Sequence, residues 1–433
     1  MRDDGDSTQR LDVPEDGSTI EIDSPEGPVE HAPDRVPPAI RRWLDEGWLE
    51  VIQAAALAFL VLLVAGSVLI LAAKLNFPSI GTGGDLLDGL NAIVMAGLAI
   101  LGVPVVFEDV SVAVLPLGAL VGAGWGIAWA VRTTITPPEG DARRLVTHGA
   151  RLAIPFALLC WLAALIFRFR GGHPVAANAG AAFILAAFWG ALFGALGTLQ
   201  TRRSLRAWAK VAWDAFKARR PIHQHGVAGA GLTLTIVTVA ATGALLLWII
   251  ISLARDAPGR YFGAGDAAAY IVYLVAMLPN AVTAVTAIAF GSGVDVGARL
   301  NLAGDLVGPV REYSLWTWGT GDPPAVAYAL IVIPVVACVA GGFFARRRAA
   351  DNAPMAVVLL TMSGVVTVVL SLIALLAKMR LAGIGRGGGY VAVAPDVVVL
   401  FVAGFLASGV LGALGWKLAE MDAILAKLGG RRA

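Results

Sequence analysis

The chain has 433 residues, 58% of them hydrophobic and only 15% charged, with a mean hydropathy of +0.75 and a formal net charge of +2. That balance excludes an ordinary soluble domain, because too few polar side chains are present to cover a water-facing surface. Charge-free runs near twenty residues recur, each long enough for the roughly 30 Å hydrocarbon core, so the sequence describes a polytopic membrane protein.

Residues 1–36 mix Asp, Glu, Gly, Ser and Pro with few large apolar side chains. Such a segment buries too little surface to offset its ordering entropy and is expected to be a disordered acidic tail. Its polarity also gives no cleavable signal peptide. Pro37-Pro38 closes the tail, and Arg41, Arg42, Trp43 and Trp48 lead into the first apolar run, Val51–Ala73. Arginines beside tryptophans suit a cytoplasmic interface, which places the N-terminus inside.

An embedded segment at 86–107 follows, then a span near Val110–Val131 and a loop carrying Arg132, Arg143, Arg144 and Arg151. Two further spans, near Ala150–Phe167 and Ala177–Leu199, close the first transmembrane half (37–199) around a short loop at 168–176.

Residues 200–227 form the most basic stretch, with Arg202, Arg203, Arg206, Lys210, Lys217, Arg219 and Arg220. Within it Trp208, Val211, Ala212, Ala215 and Phe216 share one helical face, with Trp213 among them in sequence. This reads as an amphipathic linker on the inner leaflet, its basic side meeting anionic lipid headgroups. The same charges do not suggest a nucleic-acid partner, because the stretch is short and lies between two spans.

The second transmembrane half (228–416) repeats the order. A span near Ala228–Ala254 precedes an embedded segment at 267–290, interrupted by Pro279-Asn280. Proline removes a backbone donor and crowds the preceding turn, so the segment is expected to kink or break. A polar stretch at 291–323 follows, then spans near Pro324–Phe344, Pro354–Ala377 and Pro395–Trp416, and a basic tail at 417–433.

Lysine and arginine bias chooses between topologies. If all ten embedded segments cross, the Arg143-Arg144 loop, the 200–227 stretch and Arg346-Arg347-Arg348 all fall outside. If 86–107 and 267–290 enter and leave by one face, those basic segments become cytoplasmic, as do both termini. The expectation is therefore an all-α bundle of about eight full spans plus two broken or re-entrant segments, in two parallel repeats; ten spans is the alternative. Asn91-Ala92-Ile93 pairs with Asn280-Ala281-Val282, and Gly102-Val103 loosely with Gly293-Val294. The pattern Gly190, Gly194, Gly197 pairs with Ser408, Gly412, Gly415 through an identical GALG text. Small residues at that spacing allow close backbone approach within a bundle or across a dimer seam.

A re-entrant backbone needs shelter from lipid, so both segments are expected in the protein interior. Asn91, Gly102, Pro104, Pro279, Asn280, Gly291 and Gly293 are the candidate turn or pathway residues, with the asparagines bonding freed backbone groups.

At LNAIVMAGLAILGVPVVFEDVSVAVLPLGAL (90–120) and MLPNAVTAVTAIAFGSGVDV (277–296) the chain resembles actinobacterial streptophobe and PerM-like integral membrane proteins. Leu278-Pro279-Asn280, Gly102-Val103 and Pro116-Leu117 stand where those families carry their turn, glycine-valine and proline-leucine motifs; Leu90 stands in place of proline before Asn91. The resemblance implies an envelope or cell-division-associated membrane factor and carries over no catalytic or ligand residue.

No nucleophile, metal or phosphate-binding pattern emerges. His223 and His225 lack a third ligand, His148 and His173 stand alone in expected loops, and Cys160 and Cys338 each lie in an apolar run. Asp85, Asp88, Glu108, Asp109, Asp266 and Asp295 bracket the two embedded segments on the expected outer face. Spans nearly free of ionisable groups argue against a proton-coupled carrier. The sequence thus points to a non-enzymatic, cofactor-free, multi-pass protein of the cell membrane whose expected partners are lipid and other membrane proteins. A permease or channel with its path between the broken segments is the second reading.

Overall fold

The computed structural model describes residues 47–76, 86–107, 110–113, 115–136, 142–167, 175–255, 264–302, 305–307, 311–315, 325–350, 352–383 and 390–429. The acidic tail 1–36 and the expected carboxylates Asp85, Glu108 and Asp109, with His173, lie outside these residues, as do Trp316 and Trp318.

The chain builds a helical transmembrane bundle. In the first half, α1 (Trp48–Asn76), α2 (Leu86–Ile100), α3 (Leu117–Thr134), α4 (Ala142–Ala150), α5 (Ala153–Ile166) and α6 (Ala179–Arg202) follow in order. A surface helix, α7 (Leu205–Arg219), leads to the second half. There α8 (His223–Arg255), α9 (Ala264–Ala289), α10 (Ala325–Ala329), α11 (Val332–Arg348), α12 (Met355–Leu376) and α13 (Val397–Gly429) complete the bundle.

Among the described residues, seven helical stretches are long and apolar enough to cross a membrane: Trp48–Ala72, Ala142–Ile166, Ala179–Arg202, His223–Ile251, Ala327–Arg348, Met355–Leu376 and Val397–Ala426. The eighth expected span is α3, whose four glycines and Arg132 dilute its apolar character. Its outward residues Val121, Trp125 and Trp129 are nonetheless exposed, as are Leu60, Val64, Val68 and Leu71 along α1. Large apolar side chains facing outward are the pattern of a surface solvated by lipid rather than water.

Several boundaries differ from the sequence reading. The span expected at 110–131 begins at Leu117, because 110–113 is drawn into a strand. Residues 142–150, read as loop, form α4, so His148 is helical. The basic tail expected from 417 instead continues α13 to Gly429. That extension is held by Arg346 and Lys417 beside Glu420 (3.6 and 2.8 Å), by Arg347 on Asp422, and by Arg346 over the Trp416 ring.

The connections at one end of the bundle carry short strands that the sequence reading missed. They are β1 (Val105–Phe107), β2 (Val110–Ala113), β3 (Val175–Ala177), β4 (Val294–Leu302), β5 (Asp305–Val307), β6 (Arg311–Tyr313), β7 (Met379–Gly383) and β8 (Tyr390–Pro395). They join in the order β3-β1-β2-β7-β8-β4-β5, with β6 also on β4. The seam between halves is the antiparallel pair β2–β7, with Val110 opposite Gly383 and Ala113 opposite Arg380. The shortest strands give no usable alternation signal, but β4 alternates Val294, Val296, Ala298, Leu300 and Leu302 with Asp295, Gly297, Arg299 and Asn301, a period-two signal that sequence reasoning had available and did not use.

Each half has its own apolar core. One centres on Leu62, Leu98, Leu101, Ile127, Leu152 and Phe156. The other centres on Val237, Ile288, Phe290, Met362, Val366 and Leu400. Ala377, from the end of α12, sits in the first core and so links the two.

Candidate functional site

The two embedded segments end alike, although α9 continues as one helix through Pro279, where the sequence predicted a kink or break. At α2, the Gly102 N–H donates to Ala99 O (2.8 Å) and the Val103 N–H to Leu98 O (3.2 Å). At α9, the Gly291 N–H donates to Ile288 O (2.8 Å) and the Ser292 N–H to Ala287 O (2.9 Å). Both are the two-bond stop in which a left-handed residue follows the helix, and both glycines have φ of 81°. The correspondence therefore runs Gly102 to Gly291, not Gly102 to Gly293 as the sequence text suggested. The corrected register also keeps Asn91 opposite Asn280.

The match continues beyond the turns. Pro104 O accepts the Asn178 N–H (3.0 Å), and Gly293 O accepts the Asp396 N–H (2.8 Å). Asn178 and Asp396 are the residues that open α6 and α13. The Asn178 side chain accepts from Ala181 N at 2.9 Å, and the Asp396 carboxylate from Val398 N and Val399 N at 3.0 and 3.1 Å. A capping Asn or Asp before an apolar run is a signal that sequence reasoning had available and did not use.

These contacts fix the path of α2. Ile93 and Gly97 meet Gly66, and Gly97 meets Leu62, so α2 runs antiparallel to α1. Its final carbonyl region lies inside the bundle, where Trp189 Nε1 donates to Leu101 O at 3.1 Å. Fifteen residues give a helix of about 22 Å, too short to cross. The chain then turns at Gly102 and returns to the strand end as β1. The second segment also turns at a glycine, Gly291, and passes through Gly293 into β4, but its helix is 26 residues long.

Asn280 is 3% exposed and fully engaged. Its Oδ1 accepts the Leu117 N–H (3.0 Å), and its Nδ2 donates to Leu115 O (3.0 Å) and Ala377 O (3.4 Å). One side chain thus satisfies the start of α3 in the first half and the end of α12 in the second. Pro279, one residue earlier, deprives Val275 O of its usual i+4 donor. That carbonyl is covered by Gly118 in the first turn of α3. Sequence reasoning had no means of finding Gly118, since its partner lies far along the chain. Asn91 is half-buried on α2.

At Gly102 an added Cβ would sit 2.9 Å from Leu115 Cδ1, whereas Gly291 has open space. The left-handed conformation alone costs an alanine about 1–2 kcal/mol. Gly102→Ala is therefore expected to lower thermal stability clearly more than Gly291→Ala, with Gly291→Asn nearly neutral, as read by melting in detergent.

The small-residue pattern lies wholly inside the chain. Gly190 and Gly194 face Leu152, Ala153 and Gly149; Gly197 faces Ala128 and Val131; Gly412 faces Leu359 and Met362; Gly415 faces Val339. Ser408 is buried, and its Oγ donates to Gly404 O at 2.6 Å. These contacts are intrachain helix packing, which leaves no part of the pattern for a dimer seam.

Helix α7 starts at Ser204, whose Oγ accepts from Ala207 N (3.3 Å). Trp208 Nε1 donates to Leu199 O (2.8 Å), and Arg203 lies over the Trp208 ring, so the helix is pinned to the end of α6. Trp213 stacks on Phe216 with ring centroids 5.6 Å apart. Val211, Ala212 and Ala215, expected on its apolar face, are exposed, as are Arg202, Arg206, Lys210, Arg219 and Arg220; Lys217 is half-buried. Asp214 bonds Lys217 at 2.7 Å, and that bond holds its carboxyl below the usual range.

The histidines do not assemble a site. His223 Nδ1 lies 2.7 Å from Thr361 Oγ1, tying α8 to α12. Among the described residues no cluster of three or more His, Cys, Asp or Glu is placed to hold a metal ion. Cys160 and Cys338 are separate buried thiols.

The architecture defines a multi-pass helical membrane protein whose connections at one end join in a sheet. Comparison with protein-family profiles, curated proteins and solved structures returns no match to the chain.

Proposed function

We propose that the chain is a non-enzymatic factor of the cell envelope that works by binding other membrane or envelope proteins at its strand-capped end. The observation that carries this reading is the double tie between halves. Strands β2 and β7 pair across them, and Asn280 bonds both at once. Alternating access needs one half to rock against the other about a central site. Here such motion would break a sheet and strip a buried side chain of its partners. A fixed platform suits docking better than transport, and the resemblance to streptophobe and PerM-like proteins agrees with it.

In this reading both termini are cytoplasmic. Arg132, Arg143, Arg144, Arg346, Arg347 and Arg348 then share the inner face with α7, whose cations meet anionic headgroups. Replacing Arg206, Lys210 and Arg219 with Gln is expected to reduce preference for phosphatidylserine-containing over neutral nanodiscs by about 1 kcal/mol per charge at low salt. The difference should shrink as salt is raised.

A channel-like path is the second reading, favoured by the two helices that stop at Gly102 and Gly291 inside the bundle. One pair of measurements separates the two. Full-length protein in liposomes is tested for flux of water, glycerol and monovalent ions, and a photo-crosslinking residue at Val175 on edge strand β3 is activated in native cells. Docking predicts flux equal to empty liposomes and discrete protein adducts from Val175 but not from lipid-facing Leu60. Flux above the empty vesicles, or adducts no different from those at Leu60, overturns it.

A further inference from the structure

Hydroxyl side chains inside these helices follow one habit. Ser67, Thr133, Thr198, Thr233, Thr283 and Ser408 each bond the carbonyl one turn back, at 2.6–3.2 Å. That is how a hydroxyl is satisfied in an apolar setting without any external partner. Three residues on α12 break the habit together. Ser363 Oγ, Thr367 Oγ1 and Ser371 Oγ are buried atoms with no hydrogen-bond partner among the described residues. They stand four residues apart and so form a file along one side of the helix.

The file is deep and points at a neighbour that leaves room for it. Ser363 and Thr367 are each 1% exposed. The nearest atom to a Cβ built on Gly409 is Ser363 Oγ, at 3.5 Å, and the nearest to one built on Gly404 is Thr367 Oγ1, at 3.7 Å. Each hydroxyl therefore faces a position on α13 where the missing side chain leaves a methyl-sized space. Toward the strand end the file reaches Ser371, two turns short of Ala377 and the Asn280 clamp. Toward the opposite end it stops at the apolar cluster of Val358, Leu359, Ala345 and Trp416.

An unpartnered buried hydroxyl costs about 1–3 kcal/mol, so three in a row would be an expensive arrangement if dry. Buried water with two or more polar partners removes that cost. We propose that Ser363, Thr367 and Ser371 line a hydrated crevice between α12 and α13, a binding site for a short file of water entering from the strand end. The apolar plug makes it a blind site rather than a path through the membrane. The inference is thus independent of whether the protein docks partners or conducts solutes.

The test uses the full chain in nanodiscs, with Cys160 and Cys338 replaced by Ala, and D2O as the probe. Single variants Ser363→Cys, Thr367→Cys and Val366→Cys are transferred into D2O, and loss of the infrared S–H band is timed. Val366 is fully buried on the apolar side of the same helix and serves as the dry reference. A hydrated crevice predicts exchange at Ser363→Cys and Thr367→Cys at least about tenfold faster than at Val366→Cys, whose exchange needs local opening. Equal slow exchange at all three overturns the proposal.

Thr367→Val gives a readout that needs no thiol. Loss of a hydrated hydroxyl lowers the melting temperature, whereas loss of a dry, unpartnered one raises it. A raised melting temperature also overturns the proposal.

Discussion

Asn280→Leu is expected to destabilise the protein more than any other single polar-to-apolar change at the strand end. Leucine fills a similar volume, so the cost is not a cavity. It arises because Leu117 N–H, Leu115 C=O and Ala377 C=O lose their partner inside the bundle. Each buried group left unpaired costs about 1–3 kcal/mol, so a total of about 3 kcal/mol is expected after some relaxation. Thermal unfolding in detergent measures it. Asn280→Asp separates the components, since a carboxylate keeps the acceptor for Leu117 N–H and loses both donated bonds. It should fall between wild type and Asn280→Leu if it stays protonated, and below Asn280→Leu if it is forced to carry charge. Wild-type stability in Asn280→Leu would mean that the clamp does not join the halves.

Gly118→Ala is the second large effect, and its cause is steric. A Cβ at this position would fall inside contact distance of Val275 O and 2.8 Å from Ala276 O. Both are backbone atoms of α9 and cannot rotate away, so α3 and α9 must separate by the width of a methyl group. Overpacking of this kind costs about 1–3 kcal/mol or more. The loss should also appear as faster amide exchange around the Asn280 clamp, because separation of the helices strains the Asn280–Leu117 bond. Gly122→Ala, in the next turn of α3 with nothing within 4 Å, is the control and should be neutral or slightly stabilising. Equal behaviour of the two variants would show that α9 is not seated on α3 as described.

Both effects act at the place where the first half receives a side chain from the second. Nothing local in the sequence announces that pairing, since Asn280 and Leu117 are separated by 163 positions. The proline at 279 marked a missing donor but not what covers the carbonyl it leaves. With its own donor missing, α9 leaves a carbonyl that α3 covers with a glycine, and the next residue spends its amide on the flanking helix ends.

What the sequence by itself determined was the solvent and the periodicity. Apolar runs of fixed length dictate helices and a lipid environment, because no other open-chain structure satisfies its backbone there. The uneven placement of arginine set 86–107 and 267–290 apart from the other apolar runs, and the same GALG text occurs in both α6 and α13. Tertiary structure alone decided the rest. The pair β2–β7 joins strands from different halves, and it forms because the helices hold those two connections side by side. The register of Gly102 to Gly291 rests on hydrogen bonds, not on text, and a two-residue shift in lettering concealed it. The hydroxyls of Ser363, Thr367 and Ser371 look like ordinary helix residues until α13 is in place. Whether a hydroxyl turns back to its own helix or outward to a neighbour is a matter of packing, and packing joins residues that the linear chain keeps apart.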